Sequence, residues 1–343
     1  MIIAMGHGAT EDQIRAVLER IHDEGLKTVT LPGGDRIAIG IPSAIEPDVR
    51  ARLDEALSAM DGVDHVAHVS RPYKLAGREF HPQMSIVRIN GVEIGGDRAV
   101  VMAGPCAVES HEQLLEAARA VKQAGASILR AGAYKPRTSP YSFQGLHDKG
   151  LKILQEVAKD VGLLSVTEVM GPGDVELVAE HADILQIGAR NMQNYPLLIA
   201  AGKTQKPLLL KRSPSATIDE WLGSAEYLLA QGNERVMLCE RGIVAIDRTY
   251  ARNTLDLNAV PVIKQHSHLP IIVDPSHGTG HSRYVAAMAL AGLAAGADGL
   301  MIEMHPHPEK ALSDGAQSLT PTAFAELMAQ ASQLCQTLGR TLG

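Results

Sequence analysis

Two hydrophobic patterns divide the chain. The first seventy residues read, in order, as an apolar strand "IIAM", a helix from Thr10 to about Glu24, a strand "KTVTL", a turn at Gly33-Gly34-Asp35 and a strand "RIAIGI". A second helix after Pro47, with "VRARLDEALSAM" apolar at helical spacing, and a strand "VDHVAHVS" complete the set. Apolar residues three and four apart mark helices and alternation marks strands, and the order β-α-β-β-α-β is the ferredoxin-like split motif. From Ala99 the pattern becomes one of continuous apolar runs, "AVVMAGP", "SILRAGA", "LLSVTEV", "ILQIGA", "PLLLKR", "RVMLCERG", "PIIVDPSH" and "GLMIEMH", separated by amphipathic helical segments. Unbroken apolar strands between helices predict a parallel sheet covered on its outer face. Eight of them predict a (β/α)8 barrel, since a doubly wound open sheet usually stops nearer ~6 strands. Between the two patterns lies "SIVRINGVEIGG", where Asn90-Gly91 separates two alternating segments and signals a tight hairpin that could cap one end of the barrel. The expected architecture is α/β: a small α+β ferredoxin-like domain over 1–70, a linker and capping hairpin over 71–98, and a (β/α)8 barrel over 99–343.

Composition sharpens this picture. Aromatic residues make up only 3% of a chain that is 45% hydrophobic, so aliphatic side chains must fill the core, as suits the layered interior of a barrel. A net charge of −7 argues against a general nucleic-acid or anionic-membrane binder, which would present a broad basic face. The apolar run "YVAAMALAGLAAGA" is shorter than the ~18–20 residues needed to span a bilayer and reads as a barrel helix. Cys106, Cys239 and Cys335 are odd in number and widely spaced, which suits a reducing compartment. With an N-terminus unlike a signal peptide, the expected location is the cytoplasm. "HSH" at 266–268 and "HPH" at 305–307 lie by loops and prolines and read as solvated histidines, with His305 less clear because it follows Glu303 by two residues. Cys239 and Cys335 read as core thiols, and Trp221 as helix packing.

The chemistry concentrates where a barrel places it, at the C-terminal ends of the strands. Those ends supply Cys106, Arg130 with Lys135, Glu168, Arg190, Lys211 with Arg212, Glu240 with Arg241, Asp274 with His277, and Glu303. Any one polar residue at a strand end is explained by nearby water, but the set is not. A desolvated cation costs several kcal/mol unless paired, so clustered cations point to an anionic ligand. Arg130, Lys135, Arg190, Lys211 and Arg241 exceed what one phosphate of charge about −1.5 to −2 requires, and a small molecule with both phosphate and carboxylate matches them better. A second set, Cys106, His277, Glu303 and Asp314, can meet because the first, seventh and eighth strands adjoin in a closed barrel. Thiolate, imidazole and carboxylates together suit Mn²⁺, Fe²⁺, Co²⁺ or Zn²⁺ better than Mg²⁺. No short ligand spacing supports that set, and Cys106 as an inert buried thiol and Asp314 as a cap remain alternatives.

The segments "GPCAVES", "LRAGAYKPRTSPYSFQGL", "QIGARNMQN", "LLLKR", "LCERG", "RNTLDLNAVP", "DPSHGTGHSRYV" and "EMHPHPEKALSDGAQSL" closely resemble the 3-deoxy-D-arabino-heptulosonate 7-phosphate synthases, in their microbial form with an N-terminal ferredoxin-like domain. The resemblance is strong from about Val100 to Leu319 and looser before. It implies condensation of phosphoenolpyruvate with erythrose 4-phosphate at the head of the shikimate pathway. By it, phosphoenolpyruvate contacts fall on Arg130, Lys135, Glu168, Gly188, Ala189, Arg190, Lys211 and Arg241. Erythrose 4-phosphate contacts fall on Pro136, Arg137, Thr138, Ser139 and Asp274. The divalent metal ligands fall on Cys106, His277, Glu303 and Asp314, and Lys135 is the candidate for proton transfer. The resemblance further implies a homotetramer, with tyrosine or phenylalanine acting as feedback inhibitor through residues 1–70. One departure is Ser213-Pro214 after Lys211-Arg212, where Pro214 fixes φ and can reshape the loop.

Three other readings compete. The 3-deoxy-D-manno-octulosonate 8-phosphate synthases share the barrel but accept arabinose 5-phosphate, and Pro136 favours the shorter sugar. A Schiff-base aldolase acting through Lys211 would be insensitive to chelators. A non-catalytic amino-acid sensor leaves the charged strand ends without a purpose.

Overall fold

A computed structural model describes the chain except residues 34, 35, 68–71, 136–138 and 140, and describes only the backbone of 31–33 and 36. The chain divides into two compact units, Met1–Gln83 and Met84–Gly343.

The first unit holds β1 (Ile2–Met5), α1 (Glu11–His22), β2 (Val29–Gly33), β3 (Arg36–Gly40), α2 (Pro47–Ser58) and β4 (Val63–Ala67). Its four strands run in the order β2-β3-β1-β4, each antiparallel to its neighbour, which is the ferredoxin-like arrangement. Thr10 starts α1 through a capping box: its hydroxyl accepts from the Gln13 amide at 3.3 Å, and the Gln13 side chain accepts from the Thr10 amide at 2.9 Å. The helices bury Val17, Ile21, Leu53 and Leu57 against Ile3, Met5 and Ile39 of the sheet. Residues 72–83 belong to this unit as well, with Lys74 donating to the Ser43 carbonyl at 2.9 Å and Tyr73 and Phe80 buried.

The second unit opens with a hairpin, β5 (Val87–Ile89) and β6 (Val92–Ile94). Its two-residue turn has Asn90 at φ 44° and Gly91 at φ 88°, the double positive φ that a type I′ turn demands. The barrel strands follow: β7 (Arg98–Gly104), β8 (Ile128–Arg130), β9 (Leu164–Val169), β10 (Ile184–Ile187), β11 (Leu208–Lys211), β12 (Val236–Glu240), β13 (Ile271–Val273) and β14 (Gly299–Glu303). All are parallel, and β14 pairs back onto β7 from Gly299 opposite Val100 to Glu303 opposite Gly104, closing the barrel. The connecting helices are α3 (His111–Gln123), α4 (His147–Val161), α5 (Val175–His181), α6 (Tyr195–Lys203), α7 (Ile218–Leu229), α8 (Ala259–His266), a short α9 (Pro275–Thr279), α10 (Ser282–Ala294) and α11 (Pro321–Thr337). A last strand, β15 (Thr341–Leu342), adds to β7. Among the described residues no helix is long and apolar enough to cross a membrane.

Aliphatic side chains fill the barrel, as the low aromatic content requires: Val100, Met102, Ile128, Leu164, Val166, Ile184, Leu209, Met237, Ile272 and Met301 form one core. Val87, Ile89 and Ile94 of the hairpin join it, so the hairpin plugs the N-terminal end. Two histidines expected to be solvated are not. His268 is buried and bonded to the Ser85 hydroxyl at 2.7 Å, anchoring the start of the hairpin segment; His305 is buried within 3.4 Å of Glu109. Proximity to loops and prolines is therefore a poor guide to exposure here, because these loops fold over the barrel ends. Trp221 packs in the core and donates its Nε1–H to the Leu210 carbonyl at 3.2 Å.

Ile94 is wholly buried in the plug. Replacing it by Ala should cost about 2–5 kcal/mol, seen as a lower urea midpoint, whereas a hairpin that merely decorates the surface would leave the midpoint in place.

Candidate active site

The strand ends opposite the plug surround a cavity of about 280 Å³ lined by Arg130, Lys135, Glu168, Gln186, Gly188, Ala189, Arg190, Lys211, Pro214, Arg241, Arg252, Asn253, His277 and Asp314. Its cations are held by buried partners. Arg130, 5% exposed, donates through Nη1 to Glu303 Oε1 and to the Pro105 carbonyl, both at 2.9 Å. Burial is the largest single influence and works against its charge, but Glu303, Cys106 and Asp274 together outweigh it and raise its affinity for the proton. Lys211 donates to Asp274 Oδ2 at 2.6 Å. Arg241 loses affinity for its proton mainly through burial; Asp274 opposes the shift and neighbouring Arg252 adds to it. The buried Nε of Arg130 has no hydrogen-bond partner among the described residues, a donor of the kind an anion satisfies. Between β10 and the cavity, Gly188 permits a close approach: a Cβ there would lie 1.8 Å from Glu168 Oε1.

Beside the cations sits the mixed donor group. Cys106 Sγ lies 3.1 Å from Asp314 Oδ2, 3.0 Å from Ser313 Oγ and 2.9 Å from Lys135 Nζ. One ligand atom each from Cys106, Glu303 and Asp314 lie within 4.8 Å of one another. His277 Nδ1 is 2.7 Å from Asp274 Oδ2, and its Nε2 is 3.4 Å from Glu303 Oε1. Burial lowers the His277 pKa despite Asp274, which favours the neutral ring, and in that form its Nδ1–H goes to Asp274. The Nε2 lone pair then faces a carboxylate oxygen, two electron donors that a cation between them would reconcile. Cys106 is pushed up to about 12, first by burial and then by Glu303. Its thiol stays protonated unless a metal ion takes the thiolate. These residues fit a divalent cation of the borderline kind.

A third network stabilises the rim. Arg212 Nη1 donates to Glu240 Oε2 at 2.9 Å and Asp256 Oδ2 at 2.8 Å, and its Nε to the Ala216 carbonyl at 3.0 Å. Glu240 Oε1 accepts from the Gly242 amide at 2.6 Å. The backbone flanking Lys211 and Arg241 is thereby tied together, and the loop with Pro214 is held by a bond from the Val244 amide to the Pro214 carbonyl at 2.9 Å.

Of the residues selected from the sequence, Arg130, Lys135, Glu168, Gly188, Ala189, Arg190, Lys211, Arg241, His277 and Asp314 line one cavity. Cys106 and Glu303 lie buried against it, and Asp274 is wholly buried behind Lys211 and His277. Ser139 is half-buried and is not among the lining residues. Pro136, Arg137 and Thr138 lie outside the described residues. Sequence reading passed over Gln186, Pro214, Arg252 and Asn253 as lining residues. Gln186 is masked by its apolar strand, and Arg252 and Asn253 come from the long loop after β12, where no strand end flags them. Backbone bonds place them: the Arg252 amide donates to Thr279 O at 2.8 Å and the Asn253 amide to Gly278 O at 3.1 Å.

Fold and site together define a (β/α)8 barrel with a cation-lined cavity and, beside it, a group of side chains that could hold a metal ion. Comparison with known proteins narrows the class. Residues 80–338 match the DAHP synthetase I family and residues 1–71 the DAHP synthase ferredoxin-like domain, and the chain belongs to that family. A phospho-2-dehydro-3-deoxyheptonate aldolase of Thermotoga maritima is 47% identical over 339 residues, 99% of each chain. A crystal structure of the Thermotoga maritima phospho-2-dehydro-3-deoxyheptonate aldolase (DAHP synthase) aligns at 46% identity with a TM-score of 0.79, covering 100% of this chain and 99% of that one. A truncated form of the Thermotoga maritima 3-deoxy-D-arabino-heptulosonate 7-phosphate synthase aligns with 78% of this chain and 98% of its own, at 48% identity and TM-score 0.74. A 2-dehydro-3-deoxyphosphooctonate aldolase of Syntrophobacter fumaroxidans is 31% identical over 278 residues, 76% of this chain and 95% of that one.

Burial would raise the carboxyls of Asp274 and Glu303, but for each His277, which carries a charge once the pH is acid, and then a cation, Lys211 for Asp274 and Arg130 for Glu303, hold it below the ordinary range. With the folded pKa depressed, the unfolded chain takes up protons first as pH falls. The stabilisation is therefore present above about pH 4 and is lost as pH drops through the folded values. The metal-free protein should melt at steeply lower temperature below about pH 4, and Asp274→Asn should flatten that acid slope; an unchanged slope would remove Asp274 from the account.

Proposed function

We propose that this chain is a metal-dependent enzyme that joins phosphoenolpyruvate to erythrose 4-phosphate and water, giving 3-deoxy-D-arabino-heptulosonate 7-phosphate and phosphate, the first step of the shikimate pathway. The observation that carries the reading is the convergence of Arg130, Lys135, Arg190, Lys211 and Arg241 on one cavity that also borders Asp314 and His277. Full-length similarity to the Thermotoga aldolase, at 47% against 31% for the octulosonate relative, favours the four-carbon acceptor.

In this reading the five cations take the phosphate and carboxylate of phosphoenolpyruvate, with Arg forks matching each group. The backbone at Gly188 and Ala189 and the side chain of Glu168 complete that subsite. Pro136, Arg137, Thr138 and Ser139 take erythrose 4-phosphate, and Asp274 acts by orienting Lys211 and His277. Cys106, His277, Glu303 and Asp314 hold the divalent metal, which when bound supplies Lewis-acid polarisation of the acceptor's aldehyde oxygen. The C3 carbon of phosphoenolpyruvate attacks the aldehyde carbon, water adds at C2, and the C2–O bond to phosphate breaks. Arg130 and Lys211, fixed by buried carboxylates, meet the developing charge without reorganising. Lys135 Nζ, 2.9 Å from Cys106 Sγ, donates a proton to the new alkoxide.

The protein is assembled as a tetramer, and its ferredoxin-like unit binds tyrosine or phenylalanine as feedback inhibitor. The inhibitor assignment is supported by the match of residues 1–71 to the DAHP synthase ferredoxin-like domain, and the tetramer only by the resemblance of the sequence to the family.

Phosphate release from phosphoenolpyruvate by EDTA-stripped protein should require added Mn²⁺ and erythrose 4-phosphate. Turnover with arabinose 5-phosphate alone would reverse the choice of acceptor, and turnover indifferent to chelation would remove the metal. A chain beginning at Arg78 should keep its activity and lose inhibition by both amino acids; undiminished sensitivity would refute the assignment of the inhibitor to residues 1–70.

A further inference from the structure

We infer that Gln317, braced by Arg252, is a positioning residue that orients the Glu303 carboxylate and so sets the affinity of the Cys106, His277, Glu303 and Asp314 group for a divalent cation. The inference rests on the metal-dependent reading above and adds to it two residues outside the donor group.

The argument begins in the loop after β14. Asp314 adopts a left-handed conformation, φ 53° and ψ 31°, and a single 3-10 turn, Gly315–Gln317, follows it. The Gln317 amide donates to the Asp314 carbonyl at 3.2 Å. A turn with about three residues per revolution stacks positions three apart, so the turn that brings Asp314 to Cys106 also brings Gln317 to Glu303. Only glycine fits between them: a Cβ on Gly315 would lie 2.1 Å from the Pro308 carbonyl.

Gln317 is 2% exposed, and both ends of its amide are engaged. Nε2 donates to Glu303 Oε2 at 2.7 Å, and Oε1 accepts from Arg252 Nη1 at 3.2 Å. The neighbours dictate which way the amide points. Reversed, it would set oxygen against a carboxylate and NH₂ against a guanidinium. Glu303 Oε2 is thus committed to Gln317, and Oε1 is the oxygen left toward Arg130 at 2.9 Å and His277 Nε2 at 3.4 Å. Without Gln317 the carboxylate could rotate about its last bond and offer either oxygen. Arg252 also approaches Asp314 Oδ1 at 3.7 Å, so the pair touches both carboxylates of the group. Partners of this kind, one bond removed from the ligand atoms, change metal affinity by about 10–100-fold when removed.

The test measures binding and not only turnover. Metal-stripped protein is titrated with Mn²⁺ against a chromogenic chelator, with Cys106→Ser as the ligand-deficient control. Gln317→Leu, which keeps bulk and removes both bonds, should bind Mn²⁺ about 10–100-fold more weakly, while the KM for phosphoenolpyruvate at saturating Mn²⁺ stays near that of the parent. Arg252→Ala alters a partly exposed side chain and should fold; its affinity should fall by a smaller factor, at least about threefold, because it acts through Gln317. If folded Gln317→Leu binds Mn²⁺ within twofold of the parent, Gln317 only fills space and the inference fails. Should that variant not fold, unchanged affinity in Arg252→Ala overturns it instead. If the parent and Cys106→Ser bind Mn²⁺ equally, the metal reading itself falls, and this inference with it.

Discussion

The carboxylate of Glu303, wholly buried at the end of β14, is the contact on which the site's geometry depends. An ion cannot be kept out of water unless its partners are close and fixed. Glu303 meets that condition with Arg130 on one oxygen and Gln317 on the other, while its backbone amide donates to the Ser276 hydroxyl at 2.9 Å. The same arrangement recurs around the rim: Asp274 serves Lys211 and His277, and Glu240 serves Arg212. Each buried acid aims its basic partner and limits that partner's mobility. The cavity can therefore gather cations whose mutual repulsion would otherwise scatter their side chains.

Much of this could be read along the chain. Continuous apolar runs ending in single charged residues located the barrel and most of its rim, because a strand that must be apolar inside can change character only where it leaves the core. Thr10 and Asn90-Gly91 marked a helix start and a hairpin for equally local reasons. What escaped was whatever depends on loops folding back. Arg252 and Asn253 reach the cavity through backbone bonds to Thr279 and Gly278, partners more than twenty residues away. Gln317 looked like one polar residue among several in "SDGAQSL", and its importance comes from Glu303, fourteen residues earlier. The histidines misled for the same reason, since His268 is buried by Ser85 from the far side of the sequence.

The two units illustrate different solutions to covering a sheet. In the first, an antiparallel sheet needs only one face covered, and two short helices with a modest set of aliphatic side chains suffice. In the second, the sheet covers its own inner face by closing on itself, and the hairpin supplies the side chains missing at one end.

That plug closes one end of the barrel, and the cavity lies at the other. Arg130 and Lys211 stand at the back, almost inaccessible, and Arg252 stands nearer the threshold. Depth then grades the screening of charge: Arg252, in contact with solvent, acts through water, whereas Arg130 and Lys211 act at short range with little water to weaken them.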